Sequence, residues 1–366
     1  MTMACDRCRE CMERGDRFCV YCGEMLNPLP RSGCDRCSEC FDNGDAFCRY
    51  CGKYLTDDEH PLLKIGFAMG LITAMILSIV LTLEYSAAIW GIPQVLPRLP
   101  DYGTTLIIVV PVVVDIISFN GILSQIYYIL LILAVTASIG VLFYKAIGPA
   151  KYLMKGNNRK IRDTAFFEMP VLFSVLFIWE IVYFLILEGL GVDTNGLPDR
   201  DTWIWLYELL EASVWEEVIT RILFIGLPTA LIAFQVKKEG KGSWKYLFGG
   251  FGFSRTAVFL ILFSALFFGL GHVGGWGWWK FFSTFVFGLI TGYLFCKYGV
   301  YATIAMHFLT DYMSAEGWVL GNDNAIFTAM TFMLLSFICM PYTFIYLKRC
   351  ALALRDLFFP QNNDLK

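Results

Sequence analysis

Ionisable side chains inside a long apolar stretch are the first feature of this sequence that suggests chemistry. Glu216 and Glu217 lie in an apolar run from about residue 204 to 234, and Arg221 follows them. Because Glu217 and Arg221 are four residues apart, they share one helix face and can neutralise each other. Glu216 is turned about 100° away and has no local partner. It is therefore the candidate base for activating a water molecule.

Two of the three histidines supply partners for this carboxylate. His272 stands four residues after Phe268, and His307 stands four residues before Asp311. A carboxylate, two imidazoles and a second carboxylate on three apolar segments predict an acid–base site within the membrane. Imidazole and carboxylate are also zinc ligands, so an alternative hypothesis makes the same four side chains a metal site.

Cysteine is concentrated near the N-terminus in two copies of one segment. Residues 5–26 and 34–55 align without a gap, and each carries two C-x2-C pairs separated by ten residues. Four thiolates at this spacing can hold a tetrahedral zinc ion, which replaces the core that so short a module cannot build. The predicted zinc ligands are Cys5, Cys8, Cys19 and Cys22 in the first copy and Cys34, Cys37, Cys48 and Cys51 in the second.

One further cysteine in each copy, Cys11 or Cys40, creates a C-x2-C-x2-C run with two overlapping pairs. We favour the pairs that leave ten residues between them. A disulfide scaffold and an iron site are the alternatives to zinc. The repeats resemble zinc ribbons, and their acidic balance favours binding of a cytosolic protein over nucleic acid. No basic block elsewhere predicts a nucleic-acid partner.

The composition requires a membrane environment. The 366 residues are 57% hydrophobic and 17% charged, whereas an average soluble domain is about 45–50% apolar and about 25% charged. We predict an all-α polytopic membrane protein with two small N-terminal zinc-ribbon modules and about eight transmembrane helices. The predicted spans are about 62–90, 122–147, 165–189, 204–234, 255–272, 279–297, 300–315 and 325–347.

The same pattern predicts the organisation of the chain. We expect one ribbon over 1–27, the second over 28–57, and a membrane domain over 58–366. The run Thr104 to Phe119 contains Pro111 and is too short for a full span, so it fits a re-entrant or interfacial segment. We expect a tilt or kink near Pro228, because the candidate site residues otherwise differ in depth.

Basic residues indicate the orientation. They gather in alternate loops, including Lys155, Arg159, Lys238, Lys241 and the tail residues Lys348 and Arg349. With eight crossings, the positive-inside rule places both termini in the cytosol. The cysteines would then lie in a reducing compartment, which agrees with zinc ligation.

The membrane motifs resemble the CPBP family of intramembrane proteases, which includes the CAAX prenyl endopeptidases. That family carries E-E-x-x-x-R, F-x-x-x-H and H-x-x-x-N or D, and the resemblance covers about residues 165–315. It implies a glutamic endopeptidase without a metal in the membrane site. The resemblance implies, position by position, that Glu216 and His272 activate the water and that His307 and Asp311 bind the oxyanion. It gives Glu217, Arg221 and Phe268 a supporting role.

One residue departs from the best-known CAAX endopeptidases, which have Asn where this chain has Asp311. An ionised carboxylate cannot donate a hydrogen bond to an oxyanion, so Asp311 must be protonated or must orient His307. The predicted activity is hydrolysis of a peptide or small protein at the lipid bilayer. A metal-dependent protease and a non-catalytic receptor or scaffold are the alternatives.

Overall fold

A computed structural model describes five continuous parts of the chain and scattered positions near both ends. The continuous parts are residues 61–109, 113–153, 159–194, 200–236 and 240–319, and the scattered positions lie between 5 and 52 and between 330 and 355. The described residues belong to two compact units. One comprises Met1–Phe67 with Tyr144–Thr164, and the other comprises Ala68–Phe143 with Ala165–Lys366.

Helices dominate the described residues, as the apolar composition predicts, because a helix satisfies its own backbone polar groups in lipid. In chain order they are α1 (Cys8–Glu13), α2 (Pro61–Val95), α3 (Leu99–Tyr102), α4 (Ile122–Leu153), α5 (Arg159–Arg162), α6 (Ala165–Gly189), α7 (Thr202–Glu217), α8 (Leu227–Gln235), α9 (Arg255–Trp276), α10 (Lys280–Tyr298) and α11 (Val300–Val319). A π-helix, Val218–Gly226, joins α7 to α8, and a 3₁₀ helix occupies Gly240–Phe248.

Six helical segments of the described residues are long and apolar enough to cross a membrane. They are Ile65–Val95, Ile122–Leu153, Ala165–Gly189, Thr202–Gln235, Arg255–Trp276 and Lys280–Tyr298, and they match the first six predicted spans. The seventh predicted span lies in α11, which is not among these six. The eighth, 325–347, lies mostly outside the described residues, so the count of eight stays a prediction.

Residues 104–109 and 113–119 depart from the all-α prediction. They form two antiparallel strands, β1 (Thr104–Val109) and β2 (Val113–Phe119), with a bulge between Leu106 and Ile107. The reason is local, because this segment is rich in the β-branched residues that favour extended backbone. The strands form a hairpin, which agrees with the prediction that this run is not a membrane span.

Close packing of α9 against α10 positions one side of the candidate site. A Cβ atom at Gly288 would lie 2.9 Å from the Cα of Ala265, and one at Gly292 would lie 2.8 Å from Ile261. Small residues therefore let the two helices approach closely, as is usual for helices packed in membranes. Ser254 caps the start of α9 by accepting a hydrogen bond from the backbone N–H of Ala257.

The second unit has one extensive apolar core. Its fully buried side chains come from α2, α3, α4, α6, α7, α10 and α11, with Leu81, Val135, Leu210, Leu294 and Phe308 among them. The functional segments on α7 and α11 are therefore held by packing along much of their length, which limits how far their side chains can move.

Candidate active site

The two adjacent glutamates at the end of α7 lie in different environments. The side chain of Glu217 is fully buried, whereas that of Glu216 is 32% exposed. The helix changes from α to π directly after them, at Val218. π-helical segments are frequent at functional sites. The tilt or kink near Pro228 stays a prediction.

Glu217 is the centre of a buried hydrogen-bonded network. One carboxylate oxygen lies 3.2 Å from Arg221 Nε, and the other accepts a hydrogen bond of 2.9 Å from His307 Nδ1. Arg221 also donates to the hydroxyl oxygens of Ser264, at 2.8 Å, and Thr291. Buried charges require such partners, since each unpaired charge is strongly destabilising. The pair predicted at i, i+4 is present and also fixes the orientation of His307.

The other nitrogen of His307 faces two carboxylates. His307 Nε2 lies 3.4 Å from Asp311 Oδ2 and 3.7 Å from Glu216 Oε2. Asp311 Oδ2 also accepts a hydrogen bond of 3.0 Å from the hydroxyl of Ser213. Because a hydroxyl donor and an imidazole both face this oxygen, the position of Asp311 suits an acceptor that orients His307.

His272 is held by its own helix. Its Nδ1 lies 2.8 Å from the backbone carbonyl oxygen of Phe268, one turn earlier. Because a carbonyl only accepts hydrogen bonds, Nδ1 carries the proton and Nε2 is left as an acceptor. That Nε2 lies 3.8 Å from Glu216 Oε2. Two acceptor atoms at this separation leave space beside them for a water molecule that donates to both.

Aromatic rings cover the two imidazoles. The Phe268 ring lies 4.7 Å from the His272 ring and 5.9 Å from the His307 ring, measured between centroids. Phe287 contacts His307 at 4.9 Å, and the Arg221 guanidinium lies 5.5 Å from the Phe268 ring centroid. Excluding bulk water in this way strengthens the electrostatic interactions within the site.

The structure thus places the four predicted catalytic side chains and their three predicted supporting residues around one point. Sequence reasoning missed Ser213, Ser264 and Thr291, which come from α7, α9 and α10. Only Ser213 had a signal, because it precedes Glu216 by three residues and so lies near the same helix face. The partners of Arg221 depend on helix packing and have no signature in the residue spacing.

The first cysteine cluster has the geometry of a metal site. The ligand atoms of Cys5, Cys8, Cys19 and Cys22 all lie within 4.8 Å of one another. The Sγ–Sγ distances are 3.5 Å for Cys5–Cys8, 3.6 Å for Cys5–Cys19 and 3.5 Å for Cys8–Cys22. Tetrahedral Zn–S bonds of about 2.3 Å correspond to S···S separations of about 3.8 Å, so these thiols fit such an ion.

Backbone contacts also favour metal ligation in this cluster. Although burial opposes ionisation of the Cys19 thiol, the backbone N–H groups of Tyr21 and Cys22 lower its pKa to about 7. Burial raises the pKa of Cys8 and of Cys11. A thiol must lose its proton to bind a metal ion, and Cys19 does so most readily of these three.

The surplus cysteine of each repeat lies beside its cluster. Cys11 Sγ is 3.8 Å from Cys19 Sγ and accepts a hydrogen bond from Arg14, and Cys40 Sγ is 3.7 Å from Cys48 Sγ. The second cluster comprises Cys37, Cys48 and Cys51, and its fourth predicted ligand, Cys34, lies outside the described residues. In the described part of the chain, the groups that could hold a metal ion are these two cysteine clusters.

Comparison with known families bears on the membrane site. Residues 198–313 match the family of type II CAAX prenyl endopeptidases called Rce1-like. This stretch contains all three motifs, from Glu216 to Asp311, and agrees with the resemblance inferred from the residues. No curated protein and no solved structure matches the chain.

The match and the six apolar helices together make this an integral membrane protein. The Rce1-like family implies intramembrane protease activity of the CAAX type in general, acting on a peptide substrate in the membrane. The matched segment covers the site helices α7 and α9–α11 up to residue 313, and excludes both cysteine clusters and the hairpin.

Proposed function

We propose that this protein is an intramembrane endopeptidase that hydrolyses a peptide bond with a water molecule activated by Glu216 and His272. The supporting observation is the separation of 3.8 Å between Glu216 Oε2 and His272 Nε2 in a segment that matches the Rce1-like family. A water molecule donating to both atoms would direct an oxygen lone pair away from them, toward a bound substrate carbonyl.

In the proposed reaction, Glu216 takes a proton from the water while the water oxygen bonds to the carbonyl carbon. The carbonyl oxygen becomes an oxyanion, and the C–N bond breaks when the tetrahedral intermediate collapses. Glu216 then returns the proton to the departing amine. No other proton donor is needed to balance this sequence.

His307 is the proposed oxyanion donor. With Nδ1 bonded to Glu217, its Nε2 lies 3.7 Å from Glu216 Oε2, on the side where the carbonyl would lie. A protonated His307 would be stabilised by Glu217 and Asp311, and its Nε2–H would be shared between Asp311 and an oxyanion placed beside it. Asp311 would then act by orienting His307, and Glu217 with Arg221 would hold the site together.

We also propose that the cysteine clusters bind structural zinc and that both termini are cytosolic. The thiol spacing and the alternating basic loops support these two assignments. Reaction of Cys11 and its neighbours with a membrane-impermeant thiol reagent, from the inside or the outside of a vesicle and after metal removal, measures the side on which they lie.

The experiment uses the full-length protein in liposomes with a farnesylated peptide that ends in a C-a-a-X sequence. The wild-type protein should cleave it, and Glu216→Gln and His272→Ala should each lower the rate by about 10²–10⁴-fold. Glu208→Gln is the matched control, because Glu208 lies on the same helix and binds the exposed Arg200. Its rate should stay within about twofold of the wild type.

Two outcomes would contradict the proposal. One is the absence of cleavage by the wild-type protein, with the same peptide lacking its prenyl group tested in parallel. The other is a Glu216→Gln variant that folds and cleaves normally.

A further inference from the structure

The hairpin of β1 and β2 runs alongside the catalytic helix. At its start, the Thr104 and Tyr207 hydroxyls are hydrogen-bonded at 2.6 Å. Further on, the Ile107 carbonyl oxygen accepts a bond of 2.9 Å from the indole N–H of Trp215. Tyr207 and Trp215 are eight residues apart on α7, which corresponds to about 12 Å. The strand therefore follows α7 from its middle to its catalytic end.

The far end of β1 lies beside the site. Trp215 directly precedes Glu216 in the chain, and a Cβ atom on Gly271, the residue before His272, would lie 3.3 Å from Val109. Residues 107–109 thus contact the immediate neighbours of both side chains that we propose to activate water. The hairpin lies outside the segment that matches the protease family, whereas Trp215 and Gly271, which it contacts, lie inside it.

The hairpin offers hydrogen bonds to a further strand. In the described part of the chain, β1 pairs with β2 alone, which leaves the other edge of each strand without a ladder partner. The Ile107 carbonyl is bonded to a side chain instead. Unpaired backbone groups of a strand are costly in a membrane, so such an edge requires a covering partner.

We propose that an extended segment of the peptide substrate adds to the edge of β1 that has no ladder partner, beyond the Ile107 carbonyl that Trp215 already occupies. This inference rests on the proposed protease function and assigns its substrate-binding element. Hydrolysis requires an accessible carbonyl, whereas in a helix each carbonyl is bonded within the helix and surrounded by side chains. Strand addition holds a peptide extended through its backbone, largely independent of its side chains.

The location of the β1 edge and the polarity of the hairpin surface favour the peptide substrate as the added strand. The edge is continuous with the catalytic groups through Trp215 and Gly271, so a strand bound there has its carbonyls close to Glu216 and His272. Most exposed side chains of the hairpin are apolar, with Val113, Ile116 and Ile117 more than half exposed, beside the exposed Thr105, Asp115 and Ser118. An apolar membrane-associated peptide matches that surface.

The first test is a backbone N-methyl scan of the farnesylated C-a-a-X peptide used above. Single methyl groups are placed on four successive nitrogens on the N-terminal side of the scissile bond, beginning two residues from it. In strand pairing, alternate N–H groups point to the edge. Methylation should therefore lower kcat/KM about tenfold at alternate positions and less than twofold at those between, as expected for loss of one hydrogen bond.

The second test compares two matched proline variants. Val109 and Val113 are register partners at the same end of the hairpin, one on β1 and one on β2. Val109→Pro removes an N–H group from the strand beside the site and should lower kcat/KM about tenfold, mainly through KM. Val113→Pro makes the same change on the outer strand and should leave kcat/KM within about twofold. Circular dichroism and thermal unfolding show whether both variants fold.

Several results would overturn the inference. A flat N-methyl scan, or one that falls uniformly, contradicts strand addition whether or not the proline variants fold. A larger loss for Val113→Pro than for Val109→Pro places the added strand on β2, where a second copy of the chain is the alternative occupant. If the unmodified peptide is not cleaved, the proposed function itself fails and this inference fails with it.

Discussion

The cysteine clusters and the membrane site both concentrate ionisable groups, but they collect them over very different lengths of chain. The first cluster takes all four thiols from residues 5–22. The membrane site joins Ser213, Glu216, His272 and His307, which lie on helices α7, α9 and α11. One site is closed by local turns, and the other exists only when three separate helices are packed together.

This difference determines how many elements of the structure a substitution should disturb. In the cysteine module, each cluster takes its thiols from one repeat, so a substitution there should affect one proposed metal site. In the membrane site, Arg221 donates to α9 and α10, and its partner Glu217 binds a histidine of α11. Loss of one charge there should disturb several helices at once.

The buried network should be the most sensitive part of the protein. Glu217→Ala or Arg221→Ala leaves a buried charge without its partner, so each should lower the free energy of unfolding by about 3–5 kcal/mol. Thermal unfolding and the yield of folded protein in detergent measure this. The control is Arg200→Ala, which breaks an exposed ion pair to Glu208 and should cost about 0–1 kcal/mol. Equal losses for the buried and the exposed pair would contradict the contrast.

The oxyanion side of the site should affect the rate while leaving the fold intact. His307→Ala removes the proposed oxyanion donor and Asp311→Ala the residue that orients it, so each should lower cleavage of the farnesylated peptide by about 10²-fold or more. Asp311→Asn should stay within about tenfold of the wild type, because its amide oxygen still accepts from Ser213 and His307.

Metal content separates this mechanism from the metal-dependent alternative. Asn is a poorer ligand than a carboxylate, so an Asp311→Asn variant that loses both a metal ion and its activity would refute the glutamic-protease mechanism. Measuring the rate and the metal content of the same preparation across a pH series makes the comparison direct.

Removing a cysteine should act on one cluster alone. We expect about two zinc ions per chain under reducing conditions, and Cys8→Ser should remove one of them because it takes away one of four ligands. Cys11→Ser should keep both ions, since Cys11 lies outside the cluster of four. Elemental analysis of the purified variants gives the answer. Metal loss from Cys11→Ser with retention in Cys8→Ser would reverse the ligand assignment.

The smallest effect should come from removing the cysteine modules. Deletion of residues 1–57 should change the rate of peptide cleavage by less than about twofold and leave the thermal unfolding of the membrane domain little changed. The reason is that the modules are expected to close their own metal sites. Loss of folding in the shortened protein would show instead that the membrane domain depends on the cysteine modules.

The contrast also explains what the sequence can predict. The Glu217–Arg221 pair and the Cys5–Cys22 cluster follow from spacing within one segment, where helix geometry or turn geometry determines which side chains meet. The contact of Ser213 with Asp311 joins residues 98 positions apart, so it depends on how α7 packs on α11. The hairpin was predicted only as a non-spanning segment, although its β-branched residues and central Pro111 favour two strands and a turn.

The π-helix at Val218–Gly226 has a consequence for how this site can change during evolution. A π-helical segment amounts to an α-helix with a residue inserted, and the register of everything before it is shifted relative to everything after it. Deleting one residue there would restore an α-helix and rotate Glu216 by about 100° relative to α8. One codon therefore separates a helix that presents Glu216 to His272 from one that turns it away.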